Sequence, residues 1–450
     1  MTVTTDSSTT DSGTTDSSGT DSSGTAASTA DTGTAATPFP EGFLWGTATA
    51  AHQVEGGCTN NDVWLYEHVP GTMYAESSGD ACDHYTRYRE DIALLAELGL
   101  RTYRFSLEWS RIEPAEGEFS AVAIEHYRDV LRTCHEHSIT PVVTYHHFTS
   151  PVWLLAKGGW EVESTVEDFA RFARRMTEEL GDLFDIACTL NEPNLADLLA
   201  NMGIAQRRRE DRAQVPTWVE AGKAIGLRAE EVAGFQLSAT DEAFPIKLAA
   251  HRAARDAIKA VKPSMQVGWT LANSDFHAAP GGEERVAEVR ERVNLRYLRE
   301  STGDDFVGIQ TYNRTVLGAN GPVPPPEGAE VTSTGEEIWP QAIGATVREA
   351  WEVAQIPVMV TENGLNTEHD EQREAFLRTA ITEVGRAIAD GVPVLGYMCW
   401  SAMDNFEWIF GYGPKFGIIA VDRITLERTP KPSAHLLGQI ARTNGAPLAG

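Results

Sequence analysis

Eight short apolar runs recur along this chain, each separated from the next by residues with helical periodicity. The runs fall at 43–47, 102–106, 141–145, 186–190, 266–270, 306–310, 358–361 and 394–400. Their length and β-branched content read as buried strands. Over 85–98 apolar residues recur every three or four positions, and Gly99 comes next as a C-terminal stop. Comparable helices are expected at 123–137, 165–180, 244–261, 286–299, 343–354 and 372–390. Strands that alternate with helices pair in parallel, and eight of them close into a single (β/α)8 TIM barrel with long βα loops. The competing architecture is an open doubly wound sheet, but the first strand leads into no Gly-x-Gly-x-x-Gly.

Composition adds a boundary. The first 37 residues are almost all Ser, Thr, Asp, Gly and Ala, with five Asp and no Lys or Arg. Such a segment has too little apolar surface to offset its ordering entropy, so 1–37 is expected to be a disordered acidic tail. It has neither the basic start nor the apolar core of a signal peptide. The remainder, 38–450, is read as one domain. No apolar run is long enough to span a bilayer. The net charge of −28 disfavours nucleic acid and anionic membranes as partners. Five scattered cysteines, Cys58, Cys82, Cys134, Cys188 and Cys399, read as reduced core thiols of a cytoplasmic protein. One segment, 195–243, breaks the rhythm. It is expected to cross the barrel mouth as a long loop with some helix, and its charge run, Arg207 to Arg212, to be solvated.

The residues at and just past the strand ends carry the chemistry. Gln53 and Glu55 come after the first run, Arg104 lies in the second, and His146-His147 ends the third. Asn191-Glu192 ends the fourth, Gln310 and Tyr312 the sixth, Glu362 the seventh, and Trp400 with Glu407-Trp408 the eighth. In a (β/α)8 barrel these positions converge on one rim, where active sites are built. Glu192 and Glu362 sit on strands that lie across the barrel from each other, so their tips can face one another over a ligand. Glu55 is read as structural, and Trp45, Trp109 and Trp153 as core. No phosphate-cradling glycines, Gly-x-Ser-x-Gly elbow or metal-ligand spacing is present, so neither a metal nor a cofactor is expected. Cys134-His135-Glu136-His137 falls at a helix end, where packed or solvated side chains are the commoner outcome. Paired carboxylates, indole platforms and neutral hydrogen-bonding groups suit a carbohydrate.

Five stretches carry a family resemblance: Phe43-Leu44-Trp45-Gly46-Thr47-Ala48-Thr49 with Gln53 and Glu55; Tyr103-Arg104-Phe105-Ser106 with Trp109 and Arg111-Ile112; Thr189-Leu190-Asn191-Glu192-Pro193; Val360-Thr361-Glu362-Asn363-Gly364; and Trp400-Ser401 with Asp404-Asn405-Phe406-Glu407-Trp408. In this order they resemble glycoside hydrolase family 1, the β-glucosidase and β-galactosidase group, from about residue 38 to the end. The resemblance implies a retaining exo-β-glycosidase that needs no cofactor and acts on a small β-glycoside or oligosaccharide. Glu192 would be the acid/base and Glu362 the nucleophile. Asn191 would bond the sugar 2-hydroxyl, with Arg104 and Tyr312 holding Glu362. Gln53, His147 and Glu407 would bond the other hydroxyls, Trp400 would lie beneath the ring and Trp408 at its edge. Retention requires carboxyl groups roughly 5–5.5 Å apart.

Three departures stand out. The family's His-Trp-Asp-Leu-Pro reads His147-Phe148-Thr149-Ser150-Pro151 here, and its Asn-Tyr-Tyr reads Gln310-Thr311-Tyr312, which places a longer amide toward the sugar. The segment after Asn-Glu-Pro lacks the usual Gly-rich stretch. Glu192 argues against a thioglucosidase, which usually carries Gln there, and Glu407 against a phosphorylated sugar, which it would repel. A transglycosylating enzyme, a catalytically silent sugar-binding barrel and a homo-oligomeric assembly remain open at this point.

Overall fold

The computed structural model describes residues 39–448; the acidic tail expected over 1–37 lies outside the described residues. Eight parallel strands close into one barrel: β1 Leu44–Ala48, β2 Thr102–Ser106, β3 Thr140–His146, β4 Ile186–Asn191, β5 Gln266–Ala272, β6 Val307–Gln310, β7 Val358–Asn363 and β8 Val394–Trp400. Each strand pairs with its neighbours in sequence, and β8 closes on β1 with Leu44 opposite Gly396. All eight lie within two residues of the runs read from the sequence. The helices agree as well, from His84–Leu98 to Asp370–Ala389. Gly99 takes φ +98° and its N–H caps the first of these on Ala96, as a left-handed C-terminal glycine does.

Side chains alternate along the strands and divide the core in two. Val143, Tyr145, Val358, Val360 and Tyr397 pack outward against the helix layer, in one cluster with Leu131, Phe172 and Ile381. Val142, Cys188, Met359 and Met398 form a second cluster inside the barrel that runs up to Trp400. Strict alternation from Met359 would send Glu362 outward with Val360. Instead the register of β7 shifts against β6 between Val360 and Glu362, and β4 shifts against β5 between Cys188 and Asn191. Such irregularities re-aim side chains beside active sites. Here they turn the ends of both glutamate-bearing strands toward the barrel axis.

Gly364 stops β7 for a reason other than a turn. A Cβ there would sit 1.8 Å from the Trp400 carbonyl oxygen, so only glycine lets the tip of β7 lie against the end of β8.

The 195–243 segment contains helices Leu195–Asn201 and Pro216–Ile225. Its charge run is not wholly solvated, which corrects the expectation for Arg212. That side chain is buried and pairs with Glu161, and it also donates to Glu230 O at 3.0 Å and Ser238 Oγ at 3.1 Å. Arg208 remains exposed and pairs locally with Asp211. Buried Lys247 ties the segment down further by donating to Pro193 O and Phe235 O; burial lowers its pKa to about 8. The C-terminal helix Pro432–Arg442 and the small sheet Asp275–Ala278, Arg314–Gly318 and Gly321–Pro322 went unread in the sequence. No described helix is long and apolar enough to cross a membrane.

Candidate active site

A pocket of about 320 Å³ opens at the carboxyl ends of the strands, and Gln53, His147, Glu192, Gln310, Glu362 and Trp400 are among its lining residues. Tyr312, Glu407 and Trp408 line it as well. Arg104 and Asn191 lie buried directly beneath. The sequence-derived rim therefore converges on one cavity.

Glu362 is held on three sides. Its Oε1 accepts from Arg104 Nη1 at 2.6 Å and Gln310 Nε2 at 2.9 Å, and its Oε2 accepts from Tyr312 Oη at 2.6 Å. Arg104 is fully buried, and its other branch donates to Asn191 Oδ1 at 2.6 Å while Nε donates to Thr144 Oγ1. Asn191 Oδ1 also accepts from Thr270 Oγ1 and Gln310 Nε2, both at 2.9 Å. Gln310 thus spends its amide N–H groups on Asn191 and Glu362 while it lines the pocket. Its Oε1 stays unpartnered.

Glu192 is treated differently. Its backbone N–H donates to Thr270 O at 2.7 Å, and its carboxyl takes no hydrogen bond from any described residue. Asn194 fastens the loop, donating to Ala272 O and Val293 O and accepting from Ala272 N–H. Burial raises the pKa of both glutamates. Glu192 goes well above the usual carboxylate range because the charge on Glu362 adds to burial and only the Arg104 charge opposes it. Glu362 is raised less far, since Arg104, Tyr312 and Gln310 favour its ionised form. Burial and both carboxylates hold the Tyr312 phenol protonated, as a donor.

Five buried polar atoms of residues lining this pocket have no partner among the described residues: Gln53 Oε1, His147 Nδ1, Gln236 Oε1, Gln310 Oε1 and Glu407 Oε1. Buried polar groups are rarely left unpaired, so a concentration of them at one cavity marks groups awaiting a ligand. Asn191 Nδ2 lies 3.1 Å from His147 Nε2. As a donor it assigns the proton to Nδ1, on the unpartnered side. Burial and the Arg104 charge keep that imidazole neutral. The His147 ring is nearly parallel to Trp400 and Trp408, at 5.6 and 6.3 Å. Gln53 donates to Phe406 O at 2.7 Å and Asn405 Oδ1 at 3.0 Å. Phe148, Glu192 and Trp408 all take positive φ (+70°, +47° and +53°), a conformation that costs side-chain-bearing residues on the order of 1–3 kcal/mol and gathers at functional sites.

Sequence reasoning missed the supports. His52 stacks on Trp408 at 5.9 Å and 8° and is held by Glu67 and Asn61. Thr270 and Asn194 had no signal beyond lying at strand ends. Among the described residues His52, Cys58 and Glu108 come close enough to share an ion. Their donor atoms are already engaged: the two His52 nitrogens by Glu67 and Asn61, and Glu108 by Ser110 and Thr149. Burial beside Glu108 also raises the Cys58 pKa, disfavouring the thiolate that a metal needs. Glu55 accepts from Arg111 and Tyr127, away from the cavity, in keeping with a structural role. Trp45 and Trp109 are core, and Trp153 is half-buried against Trp109.

A barrel whose rim gathers two buried carboxylates, indoles and unpartnered hydrogen-bonding atoms defines an O-glycoside hydrolase. The sequence model of glycosyl hydrolase family 1 matches residues 35–206 and 324–446, and this chain belongs to that family. It is 30% identical to β-glucosidase A of Thermotoga maritima over 90% of this chain and 98% of that protein. With thermostable β-glucosidase B of Thermobispora bispora it shares 32% identity over 90% and 91% of the two chains. Among solved structures, the β-glycosidase BGL167 is 62% identical, covers 90% of this chain and 97% of its own, and superposes with a TM-score of 0.89.

Proposed function

We propose that this protein is a retaining exo-β-glycosidase, foremost a β-glucosidase, that also accepts β-galactosides or β-fucosides. The observation that carries the mechanism is the contrast between a Glu362 gripped by three donors and a Glu192 gripped by none among the described residues. Glu362, ionised, attacks the anomeric carbon while Glu192 gives its proton to the leaving oxygen, and the C–O bond to the aglycone breaks. Forming the glycosyl ester removes the negative charge of Glu362. The Glu192 pKa then falls, and its carboxylate takes a proton from the water that releases the sugar with its configuration retained.

The free atoms of Gln53, His147 and Glu407 bond glycone hydroxyls over Trp400. Glu407 also supports an unphosphorylated sugar, since a buried carboxyl would meet a phosphate at this end. Five buried, unpaired cysteines support a reducing, cytoplasmic setting. The test is hydrolysis of 4-nitrophenyl β-D-glycosides monitored by proton NMR. The β-anomer of glucose is expected first, with the α-anomer growing in later by mutarotation. Initial release of the α-anomer contradicts retention.

A further inference from the structure

The two halves of the pocket differ in chemistry. The floor carries the unpartnered atoms of Gln53, His147, Gln310 and Glu407, whereas the wall that begins three residues past Glu192 is apolar: Leu195, Leu198 and Leu199, then Met202 and Ile204. Ile409 and Phe410 also line the cavity. Met202 and Phe410 are 53% and 50% exposed, among the few large apolar side chains left in solvent in the described residues. Exposed apolar side chains gathered at one cavity mark a binding surface.

The polar groups toward the mouth are largely engaged with one another. One Glu336 oxygen accepts from Thr332 Oγ1 and from Thr334 Oγ1, and Thr334 Oγ1 accepts from Asn366 Nδ2 at 3.0 Å. Beside Leu237, Gln236 Oε1 is buried and unpartnered. A second sugar placed here would bring many hydroxyls to a wall with few free partners, and each unpaired one loses its water without replacement.

We propose that the leaving-group side of the pocket is a site for an apolar alcohol, alkyl, aryl or fused-ring, with Gln236 accepting from a single hydroxyl. A second sugar fits this side less well. This rests on the β-glucosidase reading, because Glu192 defines which side the leaving group occupies. Each methylene fully removed from water improves binding about fourfold, so partial burial of five should still be visible.

The experiment measures kcat/KM for methyl, butyl and hexyl β-D-glucosides and for cellobiose, with 4-nitrophenyl β-D-glucoside as a reference. We expect kcat/KM to rise from methyl to hexyl by about tenfold or more, with hexyl above cellobiose. In the variant Met202→Ser/Phe410→Ser the hexyl-to-methyl ratio should shrink by about threefold or more. A ratio taken on one preparation is insensitive to loss of folded protein. A flat series, or cellobiose equal to hexyl, with the nitrophenyl glucoside still cleaved, overturns the apolar-aglycone site and leaves the β-glucosidase reading intact. No turnover of any β-glucoside, nitrophenyl included, overturns that reading and the aglycone site with it.

Discussion

The tips of β4 and β7 carry the same residue type and treat it in opposite ways. At β7, Arg104, Gln310 and Tyr312 converge on Glu362 at 2.6–2.9 Å, and Arg104 is itself clamped by Asn191 and Thr144. At β4, Glu192 sits on left-handed backbone, with its main chain tied to Thr270 and its carboxyl unbonded. Donors stabilise a fixed charge in a fixed place, which a nucleophile requires. Burial without donors favours the proton, which an acid must hold and later surrender. In the proposed mechanism environment, rather than residue type, divides the labour between the two glutamates.

The sharpest way to break this contrast is Glu362→Ala. In the proposed mechanism it removes the attacking atom, and kcat should fall by at least about 10⁴-fold on every substrate, measured by glucose release. An effect confined to poor leaving groups would assign the acid's role to Glu362. Glu192→Ala comes next. General-acid assistance contributes on the order of 10²–10⁴-fold, so a loss of that size in kcat/KM, which reports the first step alone, is expected on alkyl glucosides, with a far smaller one on a dinitrophenyl glucoside whose leaving group needs no proton. Equal losses on both would contradict the assignment.

Tyr312→Phe removes one of the three donors to Glu362. A hydrogen bond to a charged group is worth about 1.5–3 kcal/mol, so kcat/KM should fall roughly 10- to 100-fold in steady-state assays. The smallest perturbation is pH. The proposed mechanism needs Glu362 ionised and Glu192 protonated, so kcat/KM should fall on the acid side as Glu362 gains a proton and on the alkaline side as Glu192 loses one. With Glu192 raised further than Glu362, a plateau separates the limbs. In Glu192→Gln, assayed on the dinitrophenyl glucoside, the alkaline limb should vanish.

The barrel was legible because strand and helix periodicities are strong, and the site because polar residues at strand ends have few structural uses. Gln53, His147, Asn191, Glu192, Glu362 and Glu407 all reach one cavity and its floor from that signal alone. Other features were illegible for physical reasons. Period-two alternation places Glu362 on the helix face, and only a register shift against β6 turns it inward. Gly364 reads as a turn but answers the close approach of Trp400. Arg212 sits in a charged run, yet its partner Glu161 is 51 residues away and no local pattern announces the pair. Gln310 looks like a sugar contact, and its dual bond to Asn191 and Glu362 becomes visible only when β4, β6 and β7 close on one another.

The most direct test is covalent trapping with an activated 2-deoxy-2-fluoro-β-D-glucoside, then peptide mass spectrometry. The fluorine slows both steps, while the activated leaving group lets the first proceed, so the glycosyl-enzyme accumulates. The label is expected on Glu362, one per chain, with activity lost in step with labelling. Labelling of Glu192, or inactivation without any covalent adduct, would contradict the division between the two tips.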